Sequence, residues 1–92
     1  MKNVEVYTKD WCPYSHRAKA LLDHLGITYR EIDVTTDALR EQEMVTRSGR
    51  TSVPQVFVDD HHVGGSDDLA AAVDSGEFEQ LLNDTSLFAK AS

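Results

Sequence analysis

The fold of this chain is decided by residues 4–25, VEVYTKDWCPYSHRAKALLDHL. Apolar residues alternate over Val4–Thr8, which predicts a β-strand. Over Pro13–Leu25 they recur at helical spacing, and Gly26 stands where a left-handed residue would end a helix. Proline is favoured as the first helical residue because its missing N–H would have no partner there. Cys12 is therefore predicted at the turn between a strand and a helix.

The single cysteine is predicted to be reactive. Its sulfur would face the free N–H groups near Tyr14 and Ser15, and those groups and the helix dipole favour an anion. Lys9 adds a positive charge three residues earlier. Such surroundings lower a thiol pKa from about 8.5 towards about 3.5–7.5, and the thiolate is the reactive species. A lone cysteine is more often a small buried apolar residue, but this setting favours a nucleophile.

Length, composition and charge restrict the class of protein. Ninety-two residues, 40% of them hydrophobic, correspond to one small domain. One cysteine allows no internal disulfide, so we expect a reducing, cytoplasmic compartment. The N-terminal residues form no apolar segment, so neither a signal peptide nor a membrane contact is expected. The net charge of −7 arises within residues 51–92, and without a basic stripe nucleic-acid binding is not expected.

The rest of the chain predicts alternating strands and helices. A β-branched strand over Ile27–Val34 would pair in parallel with the first strand through a right-handed crossover. A surface helix over Ala38–Ser48 would end at Gly49. The further predicted elements are a central strand at Val56–Val58, a hairpin partner from Val63, a helix from Ser66 to Gly76, and a short helix over Glu77–Asn83. The tail, 84–92, is predicted to fray, with Leu87 and Phe88 able to dock.

Three features in the second half bear on a site. Pro54 directly precedes the central strand, where a proline is allowed, and from the residues alone a trans Val53–Pro54 bond is expected. Residues 59–62, DDHH, have metal-binding side chains. Neighbours on an extended chain point in opposite directions, so we interpret this segment as a solvated turn and predict no metal site. Ser66 is a plausible N-cap of the third helix, which makes a weak anion site.

Several separated motifs resemble those of the small bacterial glutaredoxins, over about residues 4–82. They are Tyr7-Thr8-Lys9, Cys12-Pro13-Tyr14, His16-Arg17-Ala18-Lys19, Arg47-Ser48-Gly49-Arg50, Val53-Pro54-Gln55 and Gly64–Leu69. The resemblance implies a thioredoxin-like α/β fold with a four-stranded mixed sheet of order 2-1-3-4 flanked by helices. It also implies a single domain over residues 1–92 with a core of about 3–83, a monomeric state, and a cis Pro54.

The resemblance further implies that glutathione is the co-substrate. Lys9 would meet its glycine carboxylate, and the backbone of Val53 would pair with its cysteinyl part. Ser66 and Asp67 would hold the γ-glutamyl end, with N–H groups for the carboxylate and the Asp67 side chain for the ammonium. Family members often add a polar or basic residue from the second helix, where this chain has Arg40. The implied glutathione-binding residues are Lys9, Tyr14, Val53, Pro54, Ser66 and Asp67.

The chain departs from many relatives at Ser15, where they carry a second cysteine, and from some at Ser66, where they also have a cysteine. Ser15 is either natural to a monothiol subgroup or an engineered replacement. The resemblance then implies a monothiol route, in which Cys12 is the catalytic nucleophile that takes glutathione from glutathionylated or disulfide-bearing proteins. The alternative is a dimer bridged by a [2Fe-2S] cluster with Cys12 and glutathione as ligands, which Pro13 disfavours. A thioredoxin-like adaptor without redox chemistry is the third hypothesis.

Overall fold

A four-stranded sheet with helices packed on both faces forms the framework of the protein. The computed structural model describes residues 2–83, and the prediction for the tail 84–92 lies outside them. The elements are β1 (Val4–Thr8), α1 (Pro13–His24), β2 (Arg30–Asp33), α2 (Ala38–Ser48), β3 (Gln55–Val58), β4 (His61–Gly64), α3 (Ser66–Ser75) and α4 (Glu77–Leu82).

The strand order is β2-β1-β3-β4. Strand β1 pairs in parallel with β2 and antiparallel with β3, and β3 pairs antiparallel with β4. The parallel pair requires a crossover, which α1 supplies. This mixed sheet confirms the thioredoxin-like fold that the motifs imply. Because β1 is an inner strand, the loop that follows it carries Cys12 to the end of the sheet.

The alternation of side chains along β1 separates two cores. Val4 and Val6 point to the face covered by α1, α3 and α4, where the cluster is wholly apolar. Tyr7 points to the opposite face, where it meets Phe57 edge-to-face at 5.8 Å between ring centroids. Met44 of α2 completes this second cluster and is fully buried. The prediction that α2 lies exposed on the surface is therefore wrong for one side of that helix.

Charged groups supplement the small core beneath α2. The Arg47 guanidinium lies 4.0 Å from the centroid of the Phe57 ring and donates to the Tyr7 hydroxyl at 2.8 Å and to Glu5 at 2.9 Å. The Tyr7 hydroxyl in turn donates to Glu43. Burial, and next the bond to Glu43, raise the pKa of Tyr7, which keeps the phenol protonated. Helix α2 is thus fixed to the sheet by polar contacts as well as by Met44.

Two predicted boundaries are wrong for local reasons. Strand β2 begins at Arg30 rather than Ile27, since the Ile27 N–H donates to the Leu22 carbonyl at 3.0 Å and closes the end of α1. The turn between β3 and β4 comprises Asp59 and Asp60 only, with Asp59 at φ 52°. His61 and His62 belong to β4, so they are not part of a solvated turn.

Candidate active site

Cys12 stands at the start of α1, as the sequence predicts. It is the N-cap residue, with φ −91° and ψ 115°, and Pro13 is the first helical residue. The Cys12 N–H donates to the Lys9 carbonyl at 3.1 Å, which closes the loop after β1. The same loop is held from α1 by His16, whose Nε2 lies 2.6 Å from the Asp10 carbonyl. The cysteine is therefore presented by a loop bonded at both ends.

The sulfur of Cys12 lies just below the surface and outside both apolar clusters. The residue is 6% exposed, but its neighbours Trp11 and Tyr14 are 66% and 53% exposed. Its Sγ lies 3.7 Å from the Val53 carbonyl, to which the thiol donates. Cys12 is thus buried between two exposed aromatic residues, with its sulfur in contact with the backbone of Val53.

The surroundings of Cys12 favour the thiolate. Burial alone would raise the pKa of Cys12, but the N–H and hydroxyl of Ser15, the N–H of Tyr14 and the charge of Lys9 together lower it below its ordinary value. Ser15 is fully buried, and its Oγ also accepts the Lys9 N–H at 3.3 Å. The hydroxyl hydrogen is thereby left to point at the sulfur.

A groove of about 250 Å³ opens beside this turn. Five of the six predicted glutathione-binding residues line it; only Lys9 does not. Cys12 does not line it either, but the Val53 carbonyl links the groove to the sulfur. The Val53–Pro54 bond is cis, as the resemblance implies, and the trans bond expected from the residues alone is wrong. The lining residues are Tyr14, Arg50, Ser52, Val53, Pro54, Gly65, Ser66, Asp67 and Asp68.

The start of α3 forms one wall of the groove. Its N-cap is Gly65, so Ser66 is the first helical residue and the predicted N-cap is displaced by one position. Asp68 Oδ2 accepts the Gly65 N–H at 3.0 Å and Arg50 at 2.9 Å, and these bonds, that of Arg50 first, lower the pKa of Asp68. Asp67 is exposed and has no side-chain partner within residues 2–83. A free carboxylate and the N–H groups of a first helical turn therefore lie side by side.

The Lys9 side chain does not line the groove but forms an ion pair with α2. Its Nζ lies 3.0 Å from Oε2 of Glu41, in the first turn of α2, and 5.6 Å from the centroid of the Trp11 ring. Arg40 Nη1 lies 2.8 Å from Glu43 Oε1, so Arg40 pairs with Glu43 and adds no positive charge next to Lys9. The side chain that α2 brings to Lys9 is thus acidic. Sequence reasoning missed Glu41, although Asp37 as N-cap of α2 would have set the helical register.

A chain of hydrogen bonds behind the groove was also missed. Gln55 is fully buried, and its Nε2 donates to the carbonyl of Ser52 at 3.0 Å. Its Oε1 lies 2.6 Å from His62 Nε2, which must therefore carry a proton. Burial, followed by the charge of Arg50, lowers the pKa of His62, so the ring is neutral. The only sequence signal was a polar residue at the start of an apolar strand.

Two features are absent from the described part of the chain. Within residues 2–83, no three side chains of His, Cys, Asp or Glu come together in a way that could hold a metal ion. No helix in that part is long and apolar enough to cross a membrane.

Comparison with known proteins agrees with this geometry. The family described as Glutaredoxin matches residues 4–63. Glutaredoxin 3 of Escherichia coli K12 is 51% identical over 82 residues, which cover 89% of this chain and 99% of the relative. A glutaredoxin of Brucella melitensis, solved in solution, is 46% identical with a TM-score of 0.78 over 89% of each chain. A crystal structure of a buckwheat glutaredoxin–glutathione complex is 27% identical with a TM-score of 0.80, over 90% of this chain and 78% of the other.

Proposed function

This chain belongs to the glutaredoxin family of glutathione-dependent thiol–disulfide oxidoreductases, and we propose that it reduces glutathione mixed disulfides by a monothiol mechanism through Cys12. The observation that carries this proposal is the lowered pKa of one thiol whose Sγ lies 3.7 Å from a groove-lining carbonyl. It is supported by Ser15, because a hydroxyl can stabilise the thiolate but cannot form a disulfide with it.

The reaction has two exchanges. The Cys12 thiolate attacks the glutathione sulfur of a glutathionylated protein; the S–S bond to the protein breaks, and the protein leaves as a thiolate that takes a proton from water. Cys12 is then joined to glutathione. A second glutathione, having lost its thiol proton to water, attacks the glutathione sulfur, forms glutathione disulfide and releases Cys12 as the thiolate. One glutathione is consumed in each cycle: its sulfur is oxidised from the thiol to the disulfide level, the protein sulfur is reduced from the disulfide to the thiol level, and the first glutathione sulfur stays at the disulfide level throughout.

Glutathione is proposed to lie along the groove in an extended form. We define the glycine end of the site as Lys9 and Glu41, and the γ-glutamyl end as Arg50, Ser66, Asp67 and Asp68. The N–H groups at the start of α3 suit the γ-glutamyl carboxylate, and the unpaired Asp67 suits its ammonium. The Val53 backbone, next to Sγ of Cys12, suits the cysteinyl part. The remaining contacts assigned to glutathione are those of Lys9 with the glycine carboxylate and of Tyr14 and Pro54 with the groove.

The proposed partners are glutathionylated or disulfide-bearing proteins. They would approach over Trp11 and Tyr14, the exposed aromatic residues that flank Cys12. We further propose that the enzyme acts as a single-domain monomer in a reducing cytoplasm, where the glutathione that it consumes is regenerated.

A coupled assay tests the function. The enzyme, a glutathionylated peptide and glutathione are mixed with glutathione reductase and NADPH, and NADPH consumption is followed. Cys12→Ser is expected to abolish turnover, and mass spectrometry of the wild-type protein after exposure to glutathione disulfide is expected to find one added glutathione, on Cys12. A wild-type rate no higher than that of Cys12→Ser would refute the proposal.

A further inference from the structure

The glycine end of the site contains a carboxylate of the protein itself. Glu41 Oε2 lies 3.0 Å from Lys9 Nζ, and the two side chains are only 37% and 21% exposed. Glu41 follows the N-cap Asp37 by four residues, and its N–H donates to the Asp37 carbonyl at 3.0 Å. Its position therefore follows from the register of α2, which is held by the N-cap bond that the Arg40 N–H donates to the Asp37 carboxylate.

This carboxylate competes for the cation assigned to glutathione. The Lys9 ammonium has three N–H donors, so a ligand carboxylate could bind to it while Glu41 is still bound. The ligand carboxylate would then lie beside the Glu41 carboxylate, a second negative charge. The cation that precedes Glu41 in sequence, Arg40, is bonded to Glu43 at 2.8 Å, and Glu43 also accepts the Tyr7 hydroxyl. Arg40 is thereby held towards the sheet network and does not offset Glu41.

We propose that Glu41 is a specificity-determining residue that weakens recognition of the glycine carboxylate, so that the enzyme accepts γ-glutamylcysteinyl thiols lacking that carboxylate nearly as well as glutathione. This inference rests on the proposed function and on Lys9 as the partner of the glycine carboxylate. Selectivity is a difference between two affinities, and a negative charge built beside the recognition point lowers the affinity of the charged ligand alone. Recognition is then concentrated at the γ-glutamyl end.

The test compares two mixed disulfides of one peptide, formed with glutathione and with glutathione amide, in which the glycine carboxylate is replaced by a neutral carboxamide. For each, kcat/KM is measured with the full-length wild-type protein and with Glu41→Gln, at one fixed concentration of glutathione. The ratio of the two kcat/KM values removes any change in Cys12 reactivity, because that change affects both substrates alike. Glu79→Gln on α4 is the matched control, since it removes the same charge from an exposed position.

The wild-type ratio is expected to be close to one, and Glu41→Gln is expected to raise it in favour of glutathione by about two- to fivefold, the range of a partly exposed ion pair. Glu79→Gln should leave the ratio unchanged. In a Lys9→Gln background, Glu41→Gln should have no more effect than Glu79→Gln.

Two results would overturn the inference: an unchanged ratio in Glu41→Gln, or an equal rise in Glu79→Gln. Urea unfolding of Glu41→Gln checks that the helix is intact, and Glu41→Ala repeats the comparison without the side chain. Failure of the proposed function is distinguishable, because wild type would then turn over neither disulfide faster than Cys12→Ser does.

Discussion

The two ends of the proposed glutathione site each hold one ion pair of nearly the same length. Lys9 and Glu41 lie 3.0 Å apart at the glycine end, and Arg50 and Asp68 lie 2.9 Å apart at the γ-glutamyl end. Their surroundings differ. Asp68 also accepts the Gly65 N–H at the start of α3, whereas the Glu41 side chain has Lys9 as its one partner among residues 2–83.

The comparison shows that distance alone does not reveal the role of an ion pair. Asp68 belongs to the cap of a helix, so it is needed whether or not a ligand is bound. Among the described residues, the Glu41 carboxylate pairs only with the Lys9 ammonium, for which a ligand carboxylate would have to compete. The proposed γ-glutamyl end is therefore preorganised by the fold, and we expect the proposed glycine end to rearrange when glutathione binds.

The largest effect is expected from Asp67→Asn, which removes the free carboxylate next to the cap. It should lower kcat/KM for the glutathione mixed disulfide by about tenfold, the value of one hydrogen bond between charged groups. The free energy of unfolding should fall by less than about 1 kcal/mol, because Asp67 has no side-chain partner within the described residues and loses only its interaction with the N-terminus of α3. Asp74→Asn on the same helix is the control, and equal losses in both variants would contradict the role assigned to Asp67.

A smaller effect, on stability rather than turnover, is expected from Asp68→Asn. The variant removes the negative charge that strengthens the bonds from the Gly65 N–H and from Arg50, and it should lower the free energy of unfolding by about 1 kcal/mol, measured by urea denaturation. The pKa of Asp68 is lowered in the folded state, so its contribution is present above the ordinary carboxyl pKa of about 3.9 and is lost as the pH falls through the folded value. The difference in unfolding free energy between wild type and Asp68→Asn should therefore vanish in strong acid.

The variant Arg50→Gln distinguishes the contributions of the two hydrogen bonds that Asp68 accepts. It removes the exposed ion pair but keeps the Gly65 bond, so its cost in unfolding free energy should be about 0.5 kcal/mol or less. A cost larger than that of Asp68→Asn would show that the ion pair, rather than the cap, holds the γ-glutamyl end.

An effect of about the same size is expected from Ser15→Ala, at Cys12 itself. Removing the hydroxyl should raise the pKa of Cys12, so that kcat/KM rises with pH over a higher range than in wild type. Below the wild-type pKa the rate should fall by about threefold, the value of one net hydrogen bond, and at high pH the two proteins should converge. Thiolate absorbance during a pH titration measures the pKa directly; a lower pKa in Ser15→Ala would contradict this account.

Much of the fold and part of the site were predictable, because local rules govern them. Pro13 after Cys12 and Gly49 after Ser48 mark helix ends that are found where they were predicted. Their effect acts through the backbone within one turn. The grouping of Val53 with Asp67 around one groove followed from motifs that resemble a known family rather than from spacing.

Other features depended on residues far apart in the chain. Gln55 is buried because its amide joins Ser52 to His62, which sits on the neighbouring strand. Ser66 is not the N-cap of α3, because the side chain of Asp68 reaches back to Gly65. A polar residue in a strand and a serine before two acidic residues fit several local structures, and only packing selects among them.

The sequence by itself determined a strand, a proline-started helix and a single thiol between them, since these follow from backbone geometry over a few residues. Only the tertiary structure decided which charged side chain of α2 lies next to Lys9, the lysine that stands three residues before the thiol. Arg40 and Glu41 are adjacent in sequence, and a rotation of about 100° around α2, one residue in a helix of 3.6 residues per turn, exchanges a cation for an anion at the glycine end. The burial of Met44 and the bonds of Arg47 to Tyr7 and Glu5 set that rotation.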